Sequence, residues 1–379
     1  MWCAVRIGFV SDVAFPWVVG GVERTQYDEM VELSKRHDVY SFSLRFGGMR
    51  RHFTKDGIDY IGVADASKEE LYTRDGRRSI GVALRFARSL EREMDRYDLD
   101  MVYANSFPYM HIPVLKRYCI RHSSRLVLDV AELWNLEEWI DYLGRIRGMA
   151  AYHYMRRAVL GADRYNANSS STKDRLVGIG IRASEIDVFS PVLNMRLLRR
   201  CRRIRGSNTV LFAGRLIREK RIDRWIDMVS DAHSMLPKVN GLIIGSGPDL
   251  ARIRRILSDR ELDFIRVIPP IPERVGLYKR IAGAAVLLQT SEREGLSSIV
   301  LESMALGTPV ILPDYTPIPR EVRGMCVVRS PGDIPKAITE IVGSRNRSRF
   351  IRGAAGLERF DLSGVNRYFD GLRKRFGID

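Results

Sequence analysis

The sequence predicts an α/β protein built from two Rossmann-like, doubly wound parallel-sheet domains, and three observations carry that prediction. At 379 residues the chain exceeds one ordinary core and suits two. Short apolar runs alternate with helical patterns from residue 4 to about 169, which is βαβ grammar, and the same grammar restarts at residue 209. Between the two stretches the pattern breaks where Arg196, Arg199, Arg200, Arg202, Arg203 and Arg205 crowd together and Gly206-Ser207-Asn208 closes the run. The expected division is a first domain over 1–190, a basic linker over 191–206 and a second domain over 207–361.

Composition bounds the classes of function. Hydrophobic residues make up 45% and charged residues 28%, as in soluble globular proteins. Sixty-two Lys and Arg against 46 Asp and Glu leave a net charge of +16. That excess asks for an anionic partner: nucleic acid, a phosphorylated ligand or an anionic lipid surface. Cys3, Cys119, Cys201 and Cys326 are far apart and form no C-x-x-C pair, so neither a zinc site nor a disulfide framework is expected, and a reducing, cytoplasmic setting fits. No apolar run approaches the roughly 18 residues needed to span a bilayer. The run over 1–10 is too short for a signal peptide's core and starts a strand. A membrane, if one matters, would be met from its surface.

Taken in order, 4–10 is a buried strand leading through a loop to Gly20-Gly21 and a helix over 22–36; a strand starts at 38. Paired glycines at a strand-to-helix turn let a ligand approach the backbone, since no Cβ stands in the way, although a plain tight turn explains them equally. There is no G-x-G-x-x-G, so the dinucleotide fingerprint is absent. Residues 45–51 (RFGGMRR) and 74–96 mix arginines with apolar residues. Val82, Phe86 and Leu90 share one stripe of a helix over 79–94, which reads as a solvated helix packed on a core or, alternatively, as a basic membrane-facing surface. Asp98 and Asp100 open the strand at 101–104 and lack a third ligand for a metal. Next comes a strand at 125–130 running into Glu132. Ligands of open α/β sheets gather outside the carboxyl ends of the strands, so Glu132 and the 105–111 loop, with His111, are placed to face an interdomain cleft. A helix over 146–160, a strand near 162–169 and a short capped helix complete the half.

The second half runs from a strand at 209–213 through the loop 214–220 into a helix over 222–232. Arg215 and Lys220 flank that loop and can grip a diphosphate from two sides, the guanidinium in bidentate fashion and the ammonium as a point charge. Strands follow at 241–245 and 264–268, then a helix over 275–282 and a strand at 284–288. After it comes SEREGLSSIVLESMALGTPVI (291–311), a loop, a helix starting near Ser297 or Ser298, a stop at Gly307 and Pro309, and another strand. Glu294 lies on the loop and Glu302 about one turn inside the helix. The amides of that helix start suit an anion, and carboxylates on either side suit a ligand with hydroxyls flanking a phosphate, which is a sugar nucleotide. The alternative is that acids sit there because the helix dipole favours them. The tail, 365–376, is an amphipathic helix with Tyr368, Phe369, Leu372 and Phe376 inward.

Four segments, GGVER (20–24), FAGRLIREKRID (212–223), LIIGSGPDL (242–250) and SEREGLSSIVLESMALGTPVI (291–311), resemble the large retaining glycosyltransferase family numbered four, of GT-B fold. The resemblance runs over nearly the whole chain, and the E-x7-E of the last segment is its most specific mark. It implies that Arg215 and Lys220 bind the donor's diphosphate, that Glu302 holds the ribose hydroxyls and that Glu294 contacts the transferred sugar. It further implies that the backbone of Gly295, Leu296, Ser297 and Ser298 holds phosphate or sugar oxygens, that Gly20 and Gly21 close on the donor, and that the tail helix crosses back to the first domain. The implied reaction moves a sugar from a nucleoside-diphosphate sugar to a hydroxyl of a glycan, lipid-linked saccharide or lipid, with retention and without a metal or other cofactor. Two positions depart from the family: Leu296-Ser297 stands where Phe-Gly is frequent, and Val130-Ala131-Glu132 where many members place a sugar-contacting His. Other expectations stay open beside this one. One is a phosphorylase or epimerase on the same fold; another is a basic nucleic-acid binder, against which the paired carboxylates argue. An anionic membrane surface remains an expected partner, at the inner face of the cell membrane.

Overall fold

The computed structural model describes residues 4–18, 20–73, 78–201, 207–352 and 354–378. The chain forms two compact units, Met1–Pro191 with Leu362–Asp379, and Val192–Asp361.

The first unit contains β1 (Arg6–Val10), α1 (Gly21–Leu33), β2 (Asp38–Arg45), β3 (His52–Lys55), β4 (Ile58–Asp65), α2 (Ile80–Met94), β5 (Met101–Asn105) and α3 (Ile112–His122). It continues with β6 (Arg125–Val130), α4 (Leu136–Leu143), α5 (Arg145–Val159), β7 (Arg164–Ala167), α6 (Ser170–Gly178) and β8 (Ile186–Val188). Its eight strands lie in the order β3-β4-β2-β1-β5-β6-β7-β8, all parallel except the β3–β4 hairpin. The winding direction reverses between β1 and β5, which is where a doubly wound sheet opens a crevice at its carboxyl edge. Helix α2 forms because Val82, Phe86, Leu90 and Met94 recur at helical spacing and are buried, and because Ser79 Oγ caps Val82 N at 3.4 Å.

The hairpin and α4 were not expected. A complete capping box starts α4: Glu138 N donates to Asn135 Oδ1 at 2.8 Å and Asn135 N to Glu138 Oε2 at 2.7 Å. Gly144, at φ +82°, separates it from α5. A Cβ on Gly148 would stand 2.5 Å from the Trp139 carbonyl oxygen, so α4 and α5 pack backbone to backbone.

The second unit contains α7 (Met195–Leu198), β9 (Thr209–Ala213), α8 (Ile222–Met235), β10 (Asn240–Ile244), α9 (Leu250–Asp259), β11 (Ile265–Ile268) and α10 (Arg274–Gly283). After these come β12 (Val286–Leu288), α11 (Ser298–Ala305), β13 (Val310–Pro313), α12 (Arg320–Arg323), β14 (Val327–Arg329) and α13 (Ile334–Gly343). The six strands are parallel in the order β11-β10-β9-β12-β13-β14. Trp225, Phe212 and Val229 fill one face of this sheet; Tyr278, Ile281 and Leu301 fill the other.

Two expectations need correction. Of the stretch read as a linker, 192–201 belongs to the second unit. Leu193 N bonds Phe360 O at 2.9 Å, and Leu193, Leu198 and Cys201 are buried in that unit's core, because apolar residues are threaded among the arginines. Residues 202–206 lie outside the described residues. The RFGGMRR stretch offers no exposed apolar side chain for a membrane, since Phe46 and Met49 point inward, while Val82, Phe86 and Leu90 of α2 are buried as expected of a helix packed on a core. The final helix, α14 (Val365–Phe376), packs in the first unit, with Phe369 against Phe9 and Tyr103 at ring distances of 6.0 and 5.1 Å.

Candidate active site

In the second unit the chain winds from β9 outward through β10 and β11, then returns to place β12 on the other side of β9. The loops that follow β9 and β12 are therefore neighbours at the carboxyl edge, where the topology opens a crevice. They carry the residues singled out above.

The loop after β9 is held by the loop after β10. Leu216 N donates to Ser246 O at 2.9 Å and Asp249 N to Leu216 O at 3.0 Å. A Cβ on Gly245 would lie 2.0 Å from the Gly214 carbonyl oxygen, and one on Gly247 would lie 2.3 Å from that of Leu216. Both glycines of the GSG stretch are thus required by the crossing of two backbones. Leu216 is anchored in the core, and exposed Arg215 is carried on the loop beside it.

Lys220 ends a single 3-10 turn, and Arg221 follows in the left-handed region at φ +46°. Three contacts lash this turn to the loop after β12: Glu292 N to Glu219 O at 2.9 Å, Thr290 Oγ1 to Lys220 O at 2.9 Å, and the Arg221–Glu292 ion pair. The lash brings Lys220 Nζ to Glu294 Oε1 at 2.5 Å, with side chains only 17% and 9% exposed. Gln289 Nε2 donates to the same carboxylate oxygen and to Ser291 Oγ. Solvent screens an ion pair this deep less than a surface one, so the attraction within it is stronger, set against the cost of desolvating both charges.

Gly295, Leu296 and Ser297 lead from Glu294 into α11, whose first residue is Ser298. Ser297 makes no side-chain cap bond, so it does not compete for the amides of the first turn, where the helix dipole favours an anion. Glu302 is 6% exposed and accepts a hydrogen bond from Tyr278 OH at 3.0 Å. The structure thus gathers Lys220 and Glu294 in direct contact, with Arg215 on the adjoining loop and Glu302 one turn into the helix that Glu294 precedes. Sequence reasoning missed Gln289 and Tyr278. A glutamine closing the apolar run 286–288 was the available signal for the first; a tyrosine inside a helix gave none for the second.

In the first unit, Gly20 is the N-cap residue of α1 and Gly21 its first residue, at the carboxyl end of β1. Exposed Glu132 follows β6 on its carboxyl side. His111 departs from its expected place at an open loop end. It is fully buried, its Nε2 meets Asn105 O at 2.8 Å, and its ring lies edge-on to Phe86 at 5.6 Å. Burial pushes its pKa down to about 4, so the ring is a neutral core group rather than a sugar contact. Among the described residues, no cluster of three or more His, Cys, Asp or Glu side chains is placed to hold a metal ion.

The sequence pattern of the family described as Glycosyl transferases group 1 matches residues 198–349, and that of Glycosyltransferase Family 4 matches residues 19–196. A GDP-mannose-dependent alpha-mannosyltransferase of Mycobacterium tuberculosis (strain CDC 1551 / Oshkosh) is 29% identical over 172 residues, which is 44% of this chain and 43% of that protein. A GDP-mannose-dependent alpha-(1-6)-phosphatidylinositol dimannoside mannosyltransferase of M. tuberculosis (strain ATCC 25177 / H37Ra) is 29% identical over 264 residues, 63% of this chain and 68% of that one. The match thus spans less than half the length of the first of these relatives. Sucrose-phosphate synthase from Thermosynechococcus elongatus superimposes with a TM-score of 0.75 at 17% identity, covering 98% of this chain and 99% of its own. That likeness is one of fold, and the fold is GT-B.

Proposed function

The chain belongs to glycosyltransferase family 4, and from that premise we propose that it transfers a hexose from a nucleoside-diphosphate sugar to a hydroxyl acceptor, with retention and without a metal. The observation that carries the proposal is the convergence of Lys220 on Glu294 between the loops that follow the neighbouring strands β9 and β12, shortly before the start of α11. In this reading Lys220 and Arg215 take the donor's diphosphate, the Gly295–Ser298 backbone holds phosphate or sugar oxygens, Glu302 holds the ribose hydroxyls and Glu294 contacts the sugar. As the C1–O bond breaks, negative charge develops on the leaving phosphate. Lys220, Arg215 and the helix start, gathered against the diphosphate once the donor is bound, stabilise that charge as it develops. The acceptor oxygen bonds to C1 on the face the diphosphate leaves, and its proton passes to the departing phosphate oxygen.

The names of the two mannosyltransferase relatives support GDP-mannose as the first donor to test, and that of the second supports a lipid-borne acceptor. A peripheral contact with an anionic membrane fits the same reading. Its support is the exposed face of α5, where Ile146 is 84% and Met149 43% exposed beside Arg145 and Arg147. Among the described residues, no helix is long and apolar enough to cross a membrane.

The experiment is a thermal-shift panel of GDP-mannose, UDP-glucose and other nucleoside-diphosphate sugars, with EDTA present. A true donor at roughly a hundred times its dissociation constant adds about 2.7 kcal/mol of stability. Arg215→Ala and Glu302→Ala should each lose that shift while remaining folded. If both variants keep undiminished affinity for every donor the parent binds, the assignment is wrong.

A further inference from the structure

We propose that Gln289 is a positioning residue for Glu294, holding that carboxylate in place while Lys220 changes partner; the proposal rests on the donor-site reading above. Gln289 directly follows β12, and its backbone N–H extends the ladder by donating to Ile311 O at 3.1 Å. Its side chain is not the apolar one that such a place invites. It is 2% exposed, and its Nε2 donates to Ser291 Oγ at 2.9 Å and to Glu294 Oε1. The orientation of the amide is set by chemistry, because turning it over would press its carbonyl oxygen against a carboxylate. Its Oε1 is buried and has no hydrogen-bond partner. A leucine or methionine would fill the space without stranding an acceptor, so packing alone does not account for a glutamine.

The shared oxygen explains it. Lys220 and Gln289 both donate to Glu294 Oε1. A diphosphate carries more negative charge than one carboxylate and takes the Lys220 ammonium when the donor binds. Glu294 then loses its charged partner and faces an anion that repels it. Gln289 keeps its hydrogen bond through that exchange, because its amide is buried, at 2% exposure, where a phosphate does not reach it. It also leaves Glu294 its charge, which a second lysine would cancel. The carboxylate therefore stays where a hydroxyl of the transferred sugar can donate to it. Gln289 touches neither diphosphate nor nucleoside in this scheme, so its removal should slow the chemical step and spare nucleotide binding.

The test uses the full chain and measures GDP and UDP affinity by calorimetry, donor KM and kcat, and Tm. Gln289→Leu should keep nucleoside-diphosphate affinity within twofold and Tm within a few degrees, while kcat falls at least tenfold. Gln289→Met, which keeps the unbranched chain length, should give the same split and replaces the leucine variant if that one fails to fold. A kcat within twofold of the parent overturns the proposal. So does a kcat that falls only together with Tm and nucleotide affinity, since that is a packing effect. Lys220→Ala separates the two levels of the argument. If it leaves GDP and UDP affinity unchanged, the donor-site reading falls; if it weakens them while Gln289→Leu is silent, only the role of Gln289 falls.

Discussion

Asp129 lies near the carboxyl end of β6 and accepts a hydrogen bond from Asn166 Nδ2 at 2.9 Å, while Asn166 also donates to Tyr103 OH at 2.8 Å. Burial pushes the Asp129 carboxyl up to about 6, against the pull of its hydrogen bonds. Glu29, 2% exposed on α1, is also held well above the ordinary carboxylate range, first by burial and then by the charge of Asp129. The folded chain therefore holds a proton at Asp129 that the unfolded chain has released. Its contribution to stability is complete below the ordinary carboxylate value near 4 and is lost as pH rises through about 6. Asp129→Asn keeps the acceptor for Asn166 and removes the charge, which also relieves Glu29. Its stability relative to the parent should rise between pH 4 and 7 by on the order of 1–3 kcal/mol. A difference that stays level over that range, in paired melts, would show that no proton is held there. Neither this pair nor the burial of His111 was legible in the chain, because an Asp one residue from the end of RLVLDV looks like any strand end and a loop-end histidine looks available. The placement of Glu294 before a helix start and of Glu302 inside that helix was legible because E-x7-E spans a loop and the helix after it, whereas the meeting of Lys220 with Glu294 was not, because the two lie on loops 74 residues apart in the chain.

At the scale of elements, the site depends on two loops crossing where side chains are forbidden. Gly245→Ala would drive a Cβ to 2.0 Å from the Gly214 carbonyl oxygen, and backbone cannot yield as a flexible side chain can. The cost should sit at or above the upper end of the about 1–3 kcal/mol typical of overpacking, and the displaced Arg215 loop should weaken nucleoside-diphosphate binding as well. Gly283→Ala is the control, at the end of α10 with nothing within 4 Å of its new methyl group. It should be neutral or gain about 0.4–1 kcal/mol through the unfolded state. Denaturant titration of both decides; equal stabilities would remove the crossing as the reason for the GSG stretch. Strands were legible as short apolar runs because a parallel sheet covered on both faces buries nearly every residue, and long helices because burial on one face leaves a period of 3.6. The β3–β4 hairpin escaped because residues 52–55 are a mostly exposed edge strand with no apolar alternation. α4 is only eight residues, too short for periodicity, though its Asn135 and Glu138 capping pair was there to be read.

At the scale of the molecule, the net charge of +16 and the exposed face of α5 make separable demands. A basic surface alone attracts any anionic membrane, at about 1 kcal/mol per cation near the surface, and salt screens it over a length of about 10 Å at 0.1 M. An inserted apolar side chain adds a part that salt does not remove. Ile146, exposed between Arg145 and Arg147 on the first turn of α5, can provide both at one place. The protein should therefore bind vesicles rich in phosphatidylserine at low salt and ignore phosphatidylcholine. Ile146→Ser, which changes no charge, should weaken binding several-fold and make what remains more sensitive to salt. Binding that is equal in parent and variant at every salt concentration would assign the attraction to charge alone, and α5 would be no docking face. Absence of binding to anionic vesicles would end the membrane reading and leave the donor site untouched, since Lys220, Glu294 and Glu302 belong to the second unit and α5 to the first.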